Sequence, residues 1–357
     1  MARVAIITSL DYELFGDGSG KVQREQIITT KHLANIYDLY GAKLTIMFEY
    51  GQFRAYEKFA KFNSKFKEAN ELIKEQLIDL VKRGHDVQLH YHPQWHYAKY
   101  NNLSKNIDVN LDYIDISSLP QNELNELLKE GKAFLENLLK PYNENYECIA
   151  FRAGSWAVRD EAKLITALKC AGFKADSSVV PNVEFKSCKI NFKYSNSPSE
   201  YKFWFCNDKI SKEADGTFIE IPNYTIKNRF AFLNYFNMKY FLSHKISSQF
   251  YRVKVSEKKL NKFQKIKKIL SRDYYMADIN TMSYKTLVKM VDKVVSSNSN
   301  ELIPIMFIGH PKVSYAIDDM HLFFKKIEFK YGNNVEFWSF KEAVDYILRA
   351  KDGKIQR

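Results

Sequence analysis

The sequence predicts an α/β protein with a mostly parallel sheet. Two observations predict it: short apolar runs rich in β-branched residues recur from end to end, and longer stretches with a 3.6-residue apolar period lie between them. That alternation is the signature of a sheet wound with helices. With 357 residues, 45% of them hydrophobic and 27% charged, the chain can bury a sizeable core and is not disordered as a whole. One domain is expected over 1–350, interrupted at about 226–283, where the alternation breaks and a helical insertion is expected.

The strands are expected at "VAIIT" (4–8), "KLTIMF" (43–48), "DVQLHY" (86–91), "ECIAFR" (147–152), "KADSS" (174–178), "FIEIP" (218–222), "IPIMFI" (303–308) and "VEFWS" (335–339). Between the second and third, Leu72, Ile73, Leu77, Leu80 and Val81 share one helical stripe that Gly84 closes. Ser118 and Gln121 around Pro120 read as a cap opening the helix "ELNELLKEGKAFLENLL". Ser339 and Glu342 repeat a capping box before the last helix. Such a series fits either a barrel or an open doubly wound sheet, and in both the chemistry sits at the carboxyl ends of the strands.

Composition narrows the function classes. Cys148, Cys170, Cys188 and Cys206 form no CxxC pair and read as reduced core thiols. Only Arg3 and a short apolar run precede Asp11, far short of a secretory segment or a membrane span, so a cytoplasmic location is expected. Aromatics reach 15%, which suits sugar-stacking surfaces but also serves as bulky core filler. The net charge is +12, and much of the excess lies between Lys239 and Lys268 beside the aromatic "RFAFLNYFNMKYFL". Such a segment can lie on an anionic membrane or be an ordinary solvated face; nucleic acid is the least favoured partner.

The residues at the strand ends carry the functional signal. The first strand runs into "SLDYELFGD", delivering Asp11 and Glu13; the third ends in "LHYHPQWH", with His90, His92 and His96; the fourth ends in "FRAGSW", with Arg152 and Trp156; a late strand ends in "GHP", with His310. Residues two apart on a strand share a face, so Asp11 pairs with Glu13 and His90 with His92. Each alone has a bland reading: a strand-end charge, a core histidine, a structural arginine, a loop histidine. Together on one rim they point to a metal-dependent site. Two imidazoles and a carboxylate leave coordination positions for water, as in catalytic zinc and non-haem iron centres, and do not suit magnesium or calcium.

This set resembles the polysaccharide deacetylase (NodB-homology) family of metal-dependent carbohydrate esterases, and within it the WalW-type branch linked to lipopolysaccharide or O-antigen synthesis. The resemblance implies a distorted (β/α) barrel of about seven parallel strands with a helical insertion. It implies Asp11 as catalytic base and Glu13 as metal ligand, with Tyr12 in the place of the family's second adjacent aspartate. "GHDVQLH" matches the start of the second motif, which makes His90 a ligand; Gln94 stands where the family has its other histidine, so His92 is taken as the second ligand, with His96 as competitor. Arg152 would orient the base, Trp156 and Trp95 would contact the sugar, and His310 would protonate the leaving group.

The implied reaction removes an acetyl group, usually from nitrogen, from a sugar of a surface polysaccharide or its precursor, with zinc the expected metal and cobalt, nickel or iron as substitutes. The carbohydrate would be free or linked to a lipid or nucleotide, and the basic, aromatic stretch 229–270 would hold the protein at the inner membrane surface. Two competing readings are an iron enzyme using the same ligands, whose usual β-sandwich scaffold conflicts with the alternation here, and a non-catalytic glycan- or membrane-binding protein.

Overall fold

A computed structural model describes residues 2–186, 190–229, 272–297, 301–313 and 317–353. Nine strands form one curled sheet: β1 (Arg3–Tyr12), β2 (Leu44–Glu49), β3 (Asp86–Tyr91), β4 (Ala150–Ala153), β5 (Ala175–Asp176), β6 (Trp204–Cys206), β7 (Phe218–Glu220), β8 (Leu302–Gly309) and β9 (Val335–Trp338). Their order is β6-β7-β5-β4-β3-β2-β1-β8, with β9 also on β1, and every pairing is parallel except β6 with β7. Past β7 the chain meets β8 through two isolated parallel bridges, Asn223 to Met306 and Asp278 to Ile308, so among the described residues the sheet curls into a distorted barrel joined there by isolated contacts. All eight expected strands are present; β6, three residues long and antiparallel, is the member of this sheet that the sequence pattern did not show.

β1 is paired along its whole length. On one side Arg3–Leu10 run beside β8; on the other, Val4–Ile7 pair with β9 and Thr8–Tyr12 with β2. A strand so enclosed must be apolar on both faces, and from Val4 to Tyr12 it is buried throughout.

The helices are α1 (Thr29–Leu39), α2 (Tyr50–Phe59), α3 (Ser64–Lys82), α4 (Gln121–Leu139), α5 (Glu161–Cys170), α6 (Tyr284–Val295), α7 (Asp319–Tyr331) and α8 (Phe340–Lys351). In α3, Ile73, Leu77, Leu80 and Val81 are buried as expected, while Leu72 is exposed because it sits at the edge of the stripe. Gly84, with φ +85°, ends the turn after α3. The capping box of Ser339 and Glu342 is complete. The cap expected at Ser118 is not formed: its hydroxyl donates to the Asp115 carbonyl, and Pro120, which has no N–H to satisfy, occupies the cap position of α4.

Two apolar cores result. The larger lies between the sheet and the outer helices. The smaller fills one end of the barrel, where Ile7, Met47, Ala150, Ala175, Ile219 and Met306 meet Phe340, Ala343, Val344 and Ile347 of α8. α8 is seated by Thr45 and Asp86, which accept from the backbone N–H groups of Phe340 and Lys341.

The ends of the expected helical insertion are strands: Thr225–Arg229 pairs antiparallel with Arg272–Met276. Residues 230–271, and with them nearly all of the proposed membrane segment, lie outside the described residues, as does Cys188. Of the other cysteines, Cys148 and Cys206 are buried, but Cys170 is exposed at the end of α5, against the expectation of a core thiol.

Candidate metal centre and active site

Because alternate residues of a strand face the same side, the barrel lining can be followed along the chain. On β1 it reads Ile7, Ser9, Asp11 and then Glu13 just past the strand: apolar first, ionisable last. Across the sheet, Glu49, His90 and Arg152 stand side by side in register on β2, β3 and β4 and therefore point the same way. The open end of the barrel thus gathers charge that the α8 end does not.

Asp11 and Arg152 form a buried pair. Arg152 Nη1 donates to Asp11 Oδ1 at 2.5 Å, Nη2 to Ser9 Oγ at 2.8 Å and Ser177 Oγ at 3.0 Å, and Nε to the Ser177 carbonyl at 3.0 Å. Arg152 is fully buried and Asp11 is 2% exposed. Burial pushes the Asp11 carboxyl up, but Arg152, with His90 and His310, more than offsets it and leaves the group below the usual carboxylate range. Asp11 is therefore an anion at neutral pH in a dry setting.

Two residues on, Glu13 keeps different company. His90 Nε2 lies 3.3 Å from Glu13 Oε2, His92 Nε2 closes on the same oxygen, and Lys312 Nζ lies 2.5 Å from Oε1. Against the effect of burial, His92 and Lys312 hold the Glu13 carboxyl well below its ordinary range. His90 Nδ1 donates to the Arg152 carbonyl at 2.8 Å, which fixes the ring with Nε2 facing Glu13. The His92 ring lies against Gly154, where any Cβ would fall 2.5 Å from its Cγ, and Gln94 Nε2 is 2.9 Å from its Nδ1. Gln94, which breaks the family spacing, stays at the site as the group that steadies His92.

His310 closes the other side. Its Nε2 is 3.5 Å from Asp11 Oδ2 and 4.0 Å from Glu13 Oε1, and its backbone N–H donates to Asn280 Oδ1 at 2.6 Å. Burial lowers the affinity of this imidazole for a proton, although Asp11 works in the opposite direction. Trp156 stands edge-on to it, ring centroids 6.0 Å apart at 90°. Ser155 and Trp156 both have left-handed backbone, φ 55° and 53°, an arrangement that costs non-glycine residues free energy and is held by the Tyr194 hydroxyl donating to the Trp156 carbonyl.

Two sequence candidates fall outside this cluster. His96 bonds to Glu123 at 3.0 Å and to the Tyr91 hydroxyl at 3.2 Å, and His92 rather than His96 meets Glu13. Trp95 is 5% exposed and packs against Tyr56, lining a hollow of about 400 Å³ with Gly51, Arg54 and Lys58.

Three contributors were missed by sequence reasoning. Glu49 caps α2 with Oε1, accepting from Gly51 N and Gln52 N, while its Oε2 is buried without a hydrogen-bond partner. Burial, reinforced by Glu13, pushes its carboxyl up to about 7 against the pull of His92. Lys312 follows His310 by two residues, and Asn280 lies in the stretch expected to be helical insertion. A carboxylate at the carboxyl end of β2, between two strands already supplying site residues, was the available signal for Glu49.

The donor set fits a divalent cation. Ligand atoms of Glu13, Glu49, His90 and His92 all lie within 4.8 Å of one another, as do those of Asp11, Glu13 and His310. The unpartnered Glu49 Oε2 belongs to the first group, where a cation would satisfy it.

No family model matches the sequence, and no curated protein does. Solved structures do resemble it. A putative polysaccharide deacetylase from Mycobacterium smegmatis superposes with a TM-score of 0.54 at 11% identity, covering 98% of this chain and 92% of that one. A 4-alpha-glucanotransferase from Thermococcus litoralis gives 0.52 at 9% identity over 97% of this chain, which spans 40% of the glucanotransferase. At such identities the likeness is one of fold: a curled, mostly parallel α/β half-barrel.

Proposed function

We propose that this protein is a metal-dependent deacetylase that hydrolyses an acetyl group, on nitrogen in the first instance, from a sugar of a surface polysaccharide or its precursor. The observation that carries the reading is the buried Asp11–Arg152 pair set two residues from a carboxylate that faces two histidines. The fold likeness to a putative polysaccharide deacetylase supports it.

Glu13, His90 and His92 are the proposed ligands, with Glu49 placed to join them. Zinc, or cobalt, nickel or iron in its place, would supply a polarised acetyl carbonyl and a water acidic enough to ionise near neutral pH. Asp11, kept ionised by Arg152, takes the proton of the attacking water. His310 is held neutral by burial, so the proton it gives to the departing amine arrives during turnover from Asp11 Oδ2, 3.5 Å away. Arg152, itself held by Ser9 and Ser177, fixes the base through its Nη1 contact to Asp11, and Trp156 offers its ring to the sugar beside His310.

Lipid- or nucleotide-linked acetyl sugars of a cytoplasmic, membrane-associated assembly line are the proposed substrates. Among the described residues no helix is long and apolar enough to cross a membrane. A second reading, an iron enzyme, is favoured by Glu49, since a second carboxylate suits a harder metal.

The test is acetate release from free, nucleotide-linked and lipid-linked N-acetyl sugars, combined with metal analysis of the wild type and His90→Ala. Stoichiometric metal in the wild type, its loss in the variant and acetate release that follows the metal are expected. Metal-free, inactive wild-type protein after loading attempts would sink the proposal, and oxygen-dependent turnover with iron would hand it to the second reading.

A further inference from the structure

Beside the rim that carries His92, the chain makes a hairpin, Lys99–Asn101 paired with Asn106–Asp108, whose tip is apolar. Leu103 is 97% exposed there, and the turn holding it is ordered, because Asn101 Oδ1 accepts from the N–H groups of Leu103 and Ser104. The hairpin packs on the connection between α2 and α3: Tyr100 stacks on Phe62 with centroids 4.9 Å apart, and Asn63 Nδ2 donates to the Lys105 carbonyl. Phe62 is itself 52% exposed, so the hairpin and the segment it packs on each leave a large apolar side chain in solvent.

Lysines surround them. Lys58, Lys61, Lys65, Lys99 and Lys105 are exposed on these same segments, and none has an ion-pair partner among the described residues. Glu57, Glu68 and Asp108 are the nearest acids in sequence, and Asp108 is engaged by Asn101. Exposed apolar side chains on lysine-rich segments, with Lys61 Nζ lying over the Phe62 ring at 5.1 Å, are complementary to an anionic lipid surface, where the tips enter the headgroup boundary and the cations meet phosphates. A soluble polyanion would use the lysines and gain nothing from Leu103.

We propose that this hairpin and the α2–α3 connection form a docking face for an anionic membrane. The face is tied to the site, since Asn110 N donates to the Gln94 carbonyl and Val109 packs over Gly18 beside Trp95. Docking there brings the rim bearing His92 toward the bilayer. The proposal extends the reading of a membrane-associated glycan substrate to a named surface, distinct from residues 229–270, but its test does not depend on the metal chemistry.

The experiment is co-sedimentation of the full chain with phosphatidylcholine vesicles with and without phosphatidylglycerol, for the wild type, Lys61→Glu/Lys65→Glu and Leu103→Ser. Binding that requires phosphatidylglycerol and fails in high salt is expected. The charge reversals should weaken it on the order of a hundredfold and Leu103→Ser about tenfold, with acetyl hydrolysis of a soluble sugar unchanged. Failure of the wild type to bind would overturn the proposal. Undiminished binding by the variants would overturn it too, placing the contact elsewhere in the chain. So would vesicle binding that falls in the lysine variant but is equal for the wild type and Leu103→Ser, which would make the face a polyanion site.

Discussion

The two ends of this barrel are lined by the same strands and differ in almost everything else. At the α8 end, Ile7, Met47, Ala150 and Ile219 close on Phe340 and Ile347 in a dry, apolar plug. At the other end the same strands present Asp11, Glu49, His90 and Arg152, equally buried but held apart or together by charge. The first end gains free energy from burial; the second is costly to bury and persists because the first end and the outer core hold it in place. Stability and chemistry should therefore come apart under mutation.

The largest separation is expected at Asp11. Asp11→Asn should lower turnover by roughly 10² to 10⁴ while metal stays bound and the thermal midpoint moves little. Loss of metal from this variant would make Asp11 a ligand and merge the two roles we assign to Asp11 and Glu13. The reverse pattern is expected of Phe340→Ala, which should cost about 3–5 kcal/mol in denaturant unfolding with acetate release per folded molecule unchanged. A matching fall in kcat would show that the plug shapes the site, and would end the contrast.

A third set of buried carboxyls, Asp176 and Glu220, gives the contrast a pH axis. They lie side by side in register and accept from the backbone N–H groups of Ser178 and Val179. Burial is the chief cause that raises both, Asp176 to about 6 from 3.8 and Glu220 further still. A carboxyl raised in the folded state stabilises while protonated, so this contribution is complete below about pH 4 and is lost as pH rises through about 6. It amounts to about 3 kcal/mol for Asp176. Unfolding free energy should fall as pH rises from about 4 to about 6, and Glu220→Gln should flatten the fall; a flat wild-type profile would remove the effect. The smallest expected change is Gly154→Ala, whose methyl would press on His92 and weaken metal binding about 10- to 100-fold at near-normal stability.

The plug end was far more legible in the sequence than the reactive end. Strands such as Asp86–Tyr91 and the capping box at Ser339 are local signals, written in periodicity and in residues three apart. Asp11, Glu13, His90 and Arg152 were found because each ends a strand. Glu49 was overlooked because one of its oxygens serves as an ordinary helix cap, and only the burial of the other reveals a second role. Lys312 reads in sequence as a surface lysine; its approach to Glu13 spans 299 residues, a relation no local pattern carries. The same limit hid Asn280, 30 residues from His310, and the strand pairing at the ends of the expected insertion.

The enclosure of β1 has a consequence for the protein's birth on the ribosome. The strand that carries Asp11 is made long before its partners along Arg3–Leu10 and Val4–Ile7, which are residues 302–309 and 335–338. At about 5–20 residues per second, roughly 15–60 s pass between them. Until then Thr8–Tyr12 can pair with β2, but the edge that β8 will cover and the Val4–Ile7 stretch stay open for a chaperone to shield or a neighbouring chain to capture. Truncation before residue 302 should then yield aggregate rather than a partly active fragment.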